Sequence, residues 1–130
     1  MDELEYHGSF TPKYRKKFFA HPEVAQMCIA IFKSICEKRG WHIISINTDV
    51  NHLHLAFCLP ASVSVSYAKF ILKGSSSHEL RQKIPFLKKE VKDHFWAPHS
   101  FVKTIGSADR EVVKRYIENQ GLKREAIAHA

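Results

Sequence analysis

Two histidines separated by one residue, His52-Leu53-His54, are the sharpest chemical feature of the sequence. Side chains alternate along a β-strand, so residues i and i+2 face the same way and the two imidazoles stand side by side. At that spacing both rings reach one metal ion, while Leu53, Leu55 and Phe57 turn to the opposite face and into a core. The same pattern is equally compatible with two solvent-facing histidines that bind nothing. A second pair, Tyr116 and Gln120, lies on a predicted helix, where a four-residue spacing sets both on one face about one turn apart. A phenol can act as a nucleophile, and a glutamine carbonyl oxygen as a neutral metal ligand. Val112, Val113 and Ile117 fall close to the same stripe, so Tyr116 taken alone reads more simply as a half-buried residue completing an amphipathic helix. Lys114 and Arg115 favour a phosphate nearby, although basic residues are also ordinary decoration of a solvated helix.

The elements that must position these residues follow in the order strand, helix, strand, strand, helix, strand, helix. Leu4 to Phe10 forms the first strand, stopped by Pro12, and a basic loop runs from Lys13 to Lys17. His21-Pro22-Glu23 opens a helix, with proline in the first turn where its missing N–H costs least. Val24, Met27, Cys28, Ile31, Phe32 and Ile35 give it an apolar face, and Gly40 closes it. Trp41 to Thr48 and His52 to Leu59 read as strands joined by the turn residues Asp49-Val50-Asn51, hence a hairpin, which Pro60 stops. Ser62 or Ser64 caps a second helix carrying Val65, Ala68, Phe70, Ile71 and Leu72. Gly74-Ser75-Ser76-Ser77 is expected to break it, leaving a separate helical turn from Glu79 to Ile84. Lys88, Lys89 and Lys92 mark a solvated basic face. Phe95 to Ile105 is expected as a fourth strand interrupted at Pro98, and Asp109 to Gln120 as the last helix, capped by Ser107 or Asp109. This order predicts a ferredoxin-like α+β fold, an antiparallel sheet with helices on one face and the other face free for a partner subunit or a nucleic acid strand.

The composition supports one domain, residues 1–130. A chain of 130 residues with 45% hydrophobic and 25% charged side chains buries an adequate core without a metal or disulfide staple. A net charge of +7 favours an anionic partner, nucleic acid ahead of a membrane surface. Cys28, Cys36 and Cys58 form no CxxC pair, which speaks against a metal finger or a disulfide framework and for a reducing compartment. The acidic start Met1-Asp2-Glu3-Leu4-Glu5 is unlike a signal peptide, and no apolar run is long enough to span a membrane. The expected location is the cytoplasm.

Together the two chemical features resemble a known family. Asn51-His52-Leu53-His54-Leu55 is similar to the HUH motif (histidine, hydrophobic, histidine), and Tyr116-Ile117-Glu118-Asn119-Gln120 to the YIxxQ helix. That pairing belongs to the small single-tyrosine transposases of bacterial and archaeal insertion sequences that move as single-stranded DNA. The resemblance extends through Pro12-Lys13-Tyr14-Arg15-Lys16, Leu72-Lys73-Gly74-Ser75-Ser76, Phe95-Trp96 and Phe101-Val102-Lys103-Thr104-Ile105-Gly106, in family order, from about residue 6 to residue 121. It implies the HUH nuclease fold, His52, His54 and Gln120 as metal ligands, and Tyr116 as nucleophile. It also implies cleavage of one DNA strand through a 5′-phosphotyrosine link, recognition of hairpins near the element's ends, and a homodimer in which each tyrosine serves the partner's HUH site. Asn51 departs from the family's usual aspartate; an asparagine can still orient a histidine but brings no charge.

Two imidazoles suit Mn²⁺ better than Mg²⁺, yet phosphate and water oxygens make Mg²⁺ workable, so a divalent cation, Mg²⁺ or Mn²⁺, is expected. Zinc would need a closed set of four ligands that the sequence does not provide. Lys13, Arg15, Lys16, Lys73, Lys103 and Arg115 are candidates for contacts to DNA phosphates, and Tyr14 and Trp96 for stacking on unpaired bases, with core or interface packing at least as good a reading of Trp96. The rival readings are a non-catalytic single-stranded nucleic-acid-binding module and a domesticated HUH nickase.

Overall fold

Alternation decides the architecture. In the computed structural model, which describes residues 3–104, 115 and 117–119, strand β1 (Glu3–Phe10) buries Tyr6, Gly8 and Phe10 on one side and leaves Glu5, His7 and Ser9 on the other. Strand β3 (His52–Pro60) turns Leu53, Leu55, Phe57 and Leu59 into a core shared with Tyr6 and Phe10, while His54, Ala56 and Cys58 on its other face are buried as well. A Cβ at Gly8 would lie 3.0 Å from the Phe10 ring and 3.2 Å from Val102, so those side chains would have to give by a few tenths of an ångström to admit one.

Helix α1 (Pro22–Arg39) starts on proline, and ends where Gly40 turns left-handed at φ 72° and donates its N–H to the Cys36 and Glu37 carbonyls. Strand β2 (His42–Asp49) then pairs with β3 as the expected hairpin, with a register irregularity between Ile43 and Ser45. Helix α2 (Val65–Lys83) is capped by Ser64, whose Oγ accepts from the Tyr67 N–H at 3.1 Å. Helix α3 (Pro85–Glu90) leaves Lys88 and Lys89 exposed, as does the following Lys92, while Leu87 and Val91 anchor the segment. Strand β4 (Phe101–Thr104) completes a sheet of order β2-β3-β1-β4, antiparallel throughout. This is the expected ferredoxin-like α+β fold. The side chains of α1 and α2 enter one core with the Tyr6/Leu55 face of the sheet.

Three expectations need correction. The Gly74-Ser77 run does not break α2, and Glu79 to Lys83 continue the same helix. Its serines are bonded from within the fold: Ser76 Oγ donates to the Leu72 carbonyl, and Ser77 Oγ accepts from the Phe95 N–H at 2.7 Å. Among the described residues the fourth strand covers Phe101–Thr104 and does not reach back to Phe95. Phe95 and Trp96 are buried side chains of a loop, tied to the sheet's margin by an isolated bridge between Pro12 and Trp96. Trp96 therefore packs in the core and presents no face for a base to stack on. Of the expected last helix, residues 115 and 117–119 are described and helical. Cys28, Cys36 and Cys58 are buried, and burial raises the thiol pKa of Cys36 to about 12. No helix among the described residues is long and apolar enough to cross a membrane.

Candidate active site

The face of the sheet that turns away from this core carries the paired histidines. Register fixes their neighbours: Asn47 and Ser9 flank His54 on either side, and Asp49 lies opposite His52. The His52 and His54 rings are 5.8 Å apart and tilted by only 20°, so the expected side-by-side pair forms. His54 sits on an inner strand and is buried, whereas His52, at the strand's first position, is half-buried. Burial, then the neighbouring His52 and His7, push the His54 pKa down to about 4 against an opposing pull from Asp49. At neutral pH its imidazole is uncharged, the form that binds a metal.

Two residues of this face were not singled out from the sequence. His7 on β1 stacks on His54 with ring centres 6.1 Å apart and an angle of 26°. Its pKa is lowered by burial and by Lys103, which faces it directly across β4. Asp49 was read as a turn residue, and its Oδ1 does accept from the Val50 N–H at 2.8 Å, but its register also sets it beside His52. The only signal for either is the pairing register, which no local pattern in β1 or β2 specifies. Asn51, the departure from the usual aspartate, is half-buried in the hairpin turn.

A neutral His54 imidazole with the His52 ring beside it fits a divalent cation that takes nitrogen donors and leaves positions for oxygen. Among the described residues, no three His, Cys, Asp or Glu side chains come together closely enough to hold an ion. Tyr116 and Gln120, the residues expected to complete the site, lie outside the described residues. Of their helix, Arg115 is exposed, Ile117 is fully buried, and Glu118 lines a cleft of about 670 Å³ with Lys33 and Glu37 of α1 and residues 42–47 of β2.

The candidate DNA contacts fall in different places. Lys103 is exposed on β4, in register with His7 on the histidine-bearing face. Lys13, Tyr14 and Arg15 form a 3-10 turn just beyond the end of β1, at the same end of the sheet as His52, since Phe10 pairs with Leu53. Tyr14 is 72% exposed and takes a left-handed φ of 62°, followed by 53° at Arg15. The turn is held by the Lys13 N–H on the Phe95 carbonyl at 2.8 Å, and the Lys13 ammonium lies 5.4 Å from the Tyr14 ring centre. Lys16 reaches Glu90 at 3.3 Å in an exposed ion pair. Lys73 points elsewhere: its ammonium donates to the Ala97 and Pro98 carbonyls at 2.8 and 3.1 Å. Lys69 does the same to Ser100 and Arg81 to Lys92, so one basic stripe of α2 holds the segment that leads into β4.

This fold and face have counterparts among known proteins. The family model described as "Transposase IS200 like" matches residues 1–120. The transposase for insertion sequence element IS200 from Salmonella typhimurium is 30% identical over 117 residues, 89% of this chain and 76% of that protein. The ISDra2 transposase TnpA of Deinococcus radiodurans is 27% identical over 119 residues, covering 91% and 84%. A crystal structure of a Deinococcus radiodurans transposase superposes with a TM-score of 0.74 at 26% identity, covering 92% of each chain. The fold also matches a REP-associated tyrosine transposase bound to a REP hairpin, at a TM-score of 0.68 and 13% identity over 95% of this chain and 69% of that one. With the paired histidines on the sheet and the family match running nearly end to end, the chain belongs to the IS200-like transposases.

Proposed function

We propose that this transposase cuts and rejoins single-stranded DNA at insertion-sequence ends through a metal-assisted 5′-phosphotyrosine intermediate. The observation that carries the reading is the pair of stacked imidazoles, His52 and His54, held 5.8 Å apart on a rigid inner strand with His54 kept uncharged by burial. A divalent cation, Mg²⁺ or Mn²⁺, supplies charge compensation at the scissile phosphate when bound. His52 and His54 hold it from the sheet, and Gln120 adds an oxygen donor from the C-terminal helix.

In the cleavage step the Tyr116 phenolate oxygen attacks phosphorus, and the bond from phosphorus to the 3′ oxygen breaks. The 3′ oxygen leaves and takes up a proton, and the 5′ phosphate stays esterified to Tyr116. One phosphate ester replaces another, so no ATP is consumed. Attack on the phosphotyrosine by the 3′-hydroxyl of a second strand reverses the step and joins new DNA. Fixed ligands on a strand and a fixed phenol on a helix make the attack a positioned step rather than a chance encounter. Lys13, Arg15, Lys16, Lys103 and Arg115 contact backbone phosphates, and Tyr14 stacks on an unpaired base. The DNA partner carries hairpin-forming ends, the enzyme works as a homodimer with Tyr116 supplied in trans, and the reaction takes place in the cytoplasm.

The test is to incubate the protein with Mn²⁺ and single-stranded DNA carrying an element end, then separate products on a denaturing gel. A covalent protein–DNA adduct is expected, absent in Tyr116→Phe and in His54→Ala. An adduct that survives Tyr116→Phe overturns the nucleophile, and no adduct in the parent overturns the mechanism. Mixing Tyr116→Phe with His52→Ala subunits is expected to restore cleavage, and failure at every ratio rejects the shared site.

A further inference from the structure

His54 is flanked on both sides. The His52 ring lies 5.8 Å away on its own strand at 20°, and the His7 ring lies 6.1 Å away from the neighbouring strand at 26°. Three nearly parallel imidazoles therefore form a rank across β3 and β1, at the separation of offset-stacked rings. The register explains how the third ring gets there. His7 is directly opposite Ala56, two residues along from His54, and the diagonal neighbour of His54. Because Ala56 is small, nothing large stands between the His7 ring and His54. Nε2 of His7 is buried and has no hydrogen-bond partner among the described residues, so the described fold does not use that nitrogen to hold the strands together. His7 also does not enlarge the donor set, since no three such side chains among the described residues close around an ion.

We infer that His7 is a positioning residue: its ring face packs against His54 and holds that imidazole in the plane from which it binds metal. This rests on the metal-assisted reading of the site. A strand fixes where the His54 Cα sits, but two side-chain torsions remain, and a ring stacked from each side restricts both. Hydrogen-bonded partners that orient a ligand without touching the metal change affinity about 10–100-fold when removed, and a stacked ring acts on the same two torsions at the lower end of that range.

The experiment compares Mn²⁺ affinity by titration calorimetry in the parent, His7→Ala, His7→Phe and His54→Ala, with metal-free thermal melting as a control for folding. His7→Ala is expected to bind Mn²⁺ about tenfold more weakly. His7→Phe, which restores a flat ring in the same place, is expected to recover most of that loss. The side-chain NMR signals of His54 in the metal-free protein are expected to broaden in His7→Ala and sharpen again in His7→Phe, which a general loss of stability does not produce. Equal affinity in parent and His7→Ala overturns the inference, as does His7→Phe binding no better than His7→Ala. If instead His54→Ala binds Mn²⁺ as the parent does, the metal-site reading itself fails and takes the inference with it.

Discussion

The Trp96 indole N–H donates to Ser76 Oγ across 2.8 Å inside the core, joining a loop after α3 to the middle of α2. Both residues are buried, and the Ser76 hydroxyl in turn donates a hydrogen bond to the Leu72 carbonyl. Ser76→Ala leaves the indole donor unpaired in a dry place, at a cost of about 1–3 kcal/mol. Urea unfolding is expected to show that loss, and Trp96→Phe added to Ser76→Ala to cost less than the sum of the two single changes. Additive losses would mean that the bond contributes nothing to stability.

Metal-free stability should fall on mild acidification. His54 titrates near its ordinary 6.5 in the unfolded chain and at about 4 in the folded one. Between those values the unfolded state binds the extra proton, so the contribution present above pH 6.5 is lost as pH falls towards 4. The slope from this one group is at most about 1.4 kcal/mol per pH unit. His7, also lowered, acts in the same direction. Unfolding free energies of the parent at a series of pH values, set beside those of His54→Asn, are expected to converge as the pH drops.

Tyr14 offers a separation of stability from binding. Its left-handed φ of 62° is strained for a residue with a side chain, yet the residue is largely exposed. Tyr14→Gly is expected to leave stability unchanged or raise it by about 0.5–1 kcal/mol. It should also weaken single-stranded DNA binding by about 1–3 kcal/mol, the worth of one stacked base. A fluorescence-anisotropy titration showing undiminished affinity would remove Tyr14 from the DNA surface.

Lys103 makes two readouts move together. It is exposed on the histidine-bearing face, and its charge helps to lower the His7 pKa. Lys103→Ala is expected to reduce the slope of log affinity against log salt by about 0.7, the loss of one phosphate contact to a single strand. The same change is expected to raise the His7 pKa, as followed by NMR. An unchanged salt slope would mean that Lys103 faces no phosphate.

The parts of this fold that local rules govern were readable in advance. Gly40 ends α1, Ser64 starts α2, and the odd-numbered apolar residues of β3 set the even-numbered histidines on the other face, because capping and alternation need no knowledge of distant residues. The Gly74-Ser77 run misled for the opposite reason. Its serines suit a helix interior only because a loop some twenty residues later delivers the Phe95 and Trp96 N–H groups to them. Phe95-Trp96 has strand-like composition, but both side chains enter the core from a loop. His7 and Asp49 were invisible as site neighbours because only cross-strand register brings them to His54 and His52. Lys73 carries the charge of a phosphate ligand, and only the folded chain shows the Ala97 and Pro98 carbonyls in front of it.

One property of β3 bears on how such a protein can diverge. Leu53, Leu55 and Phe57 interleave with His52 and His54 on a single strand. Deleting one residue there would exchange oily and reactive faces at a stroke, losing scaffold and chemistry together. Point changes can tune this strand, but a shift of frame within it is close to lethal for the enzyme, so its descendants should keep the strand's length while their loops drift.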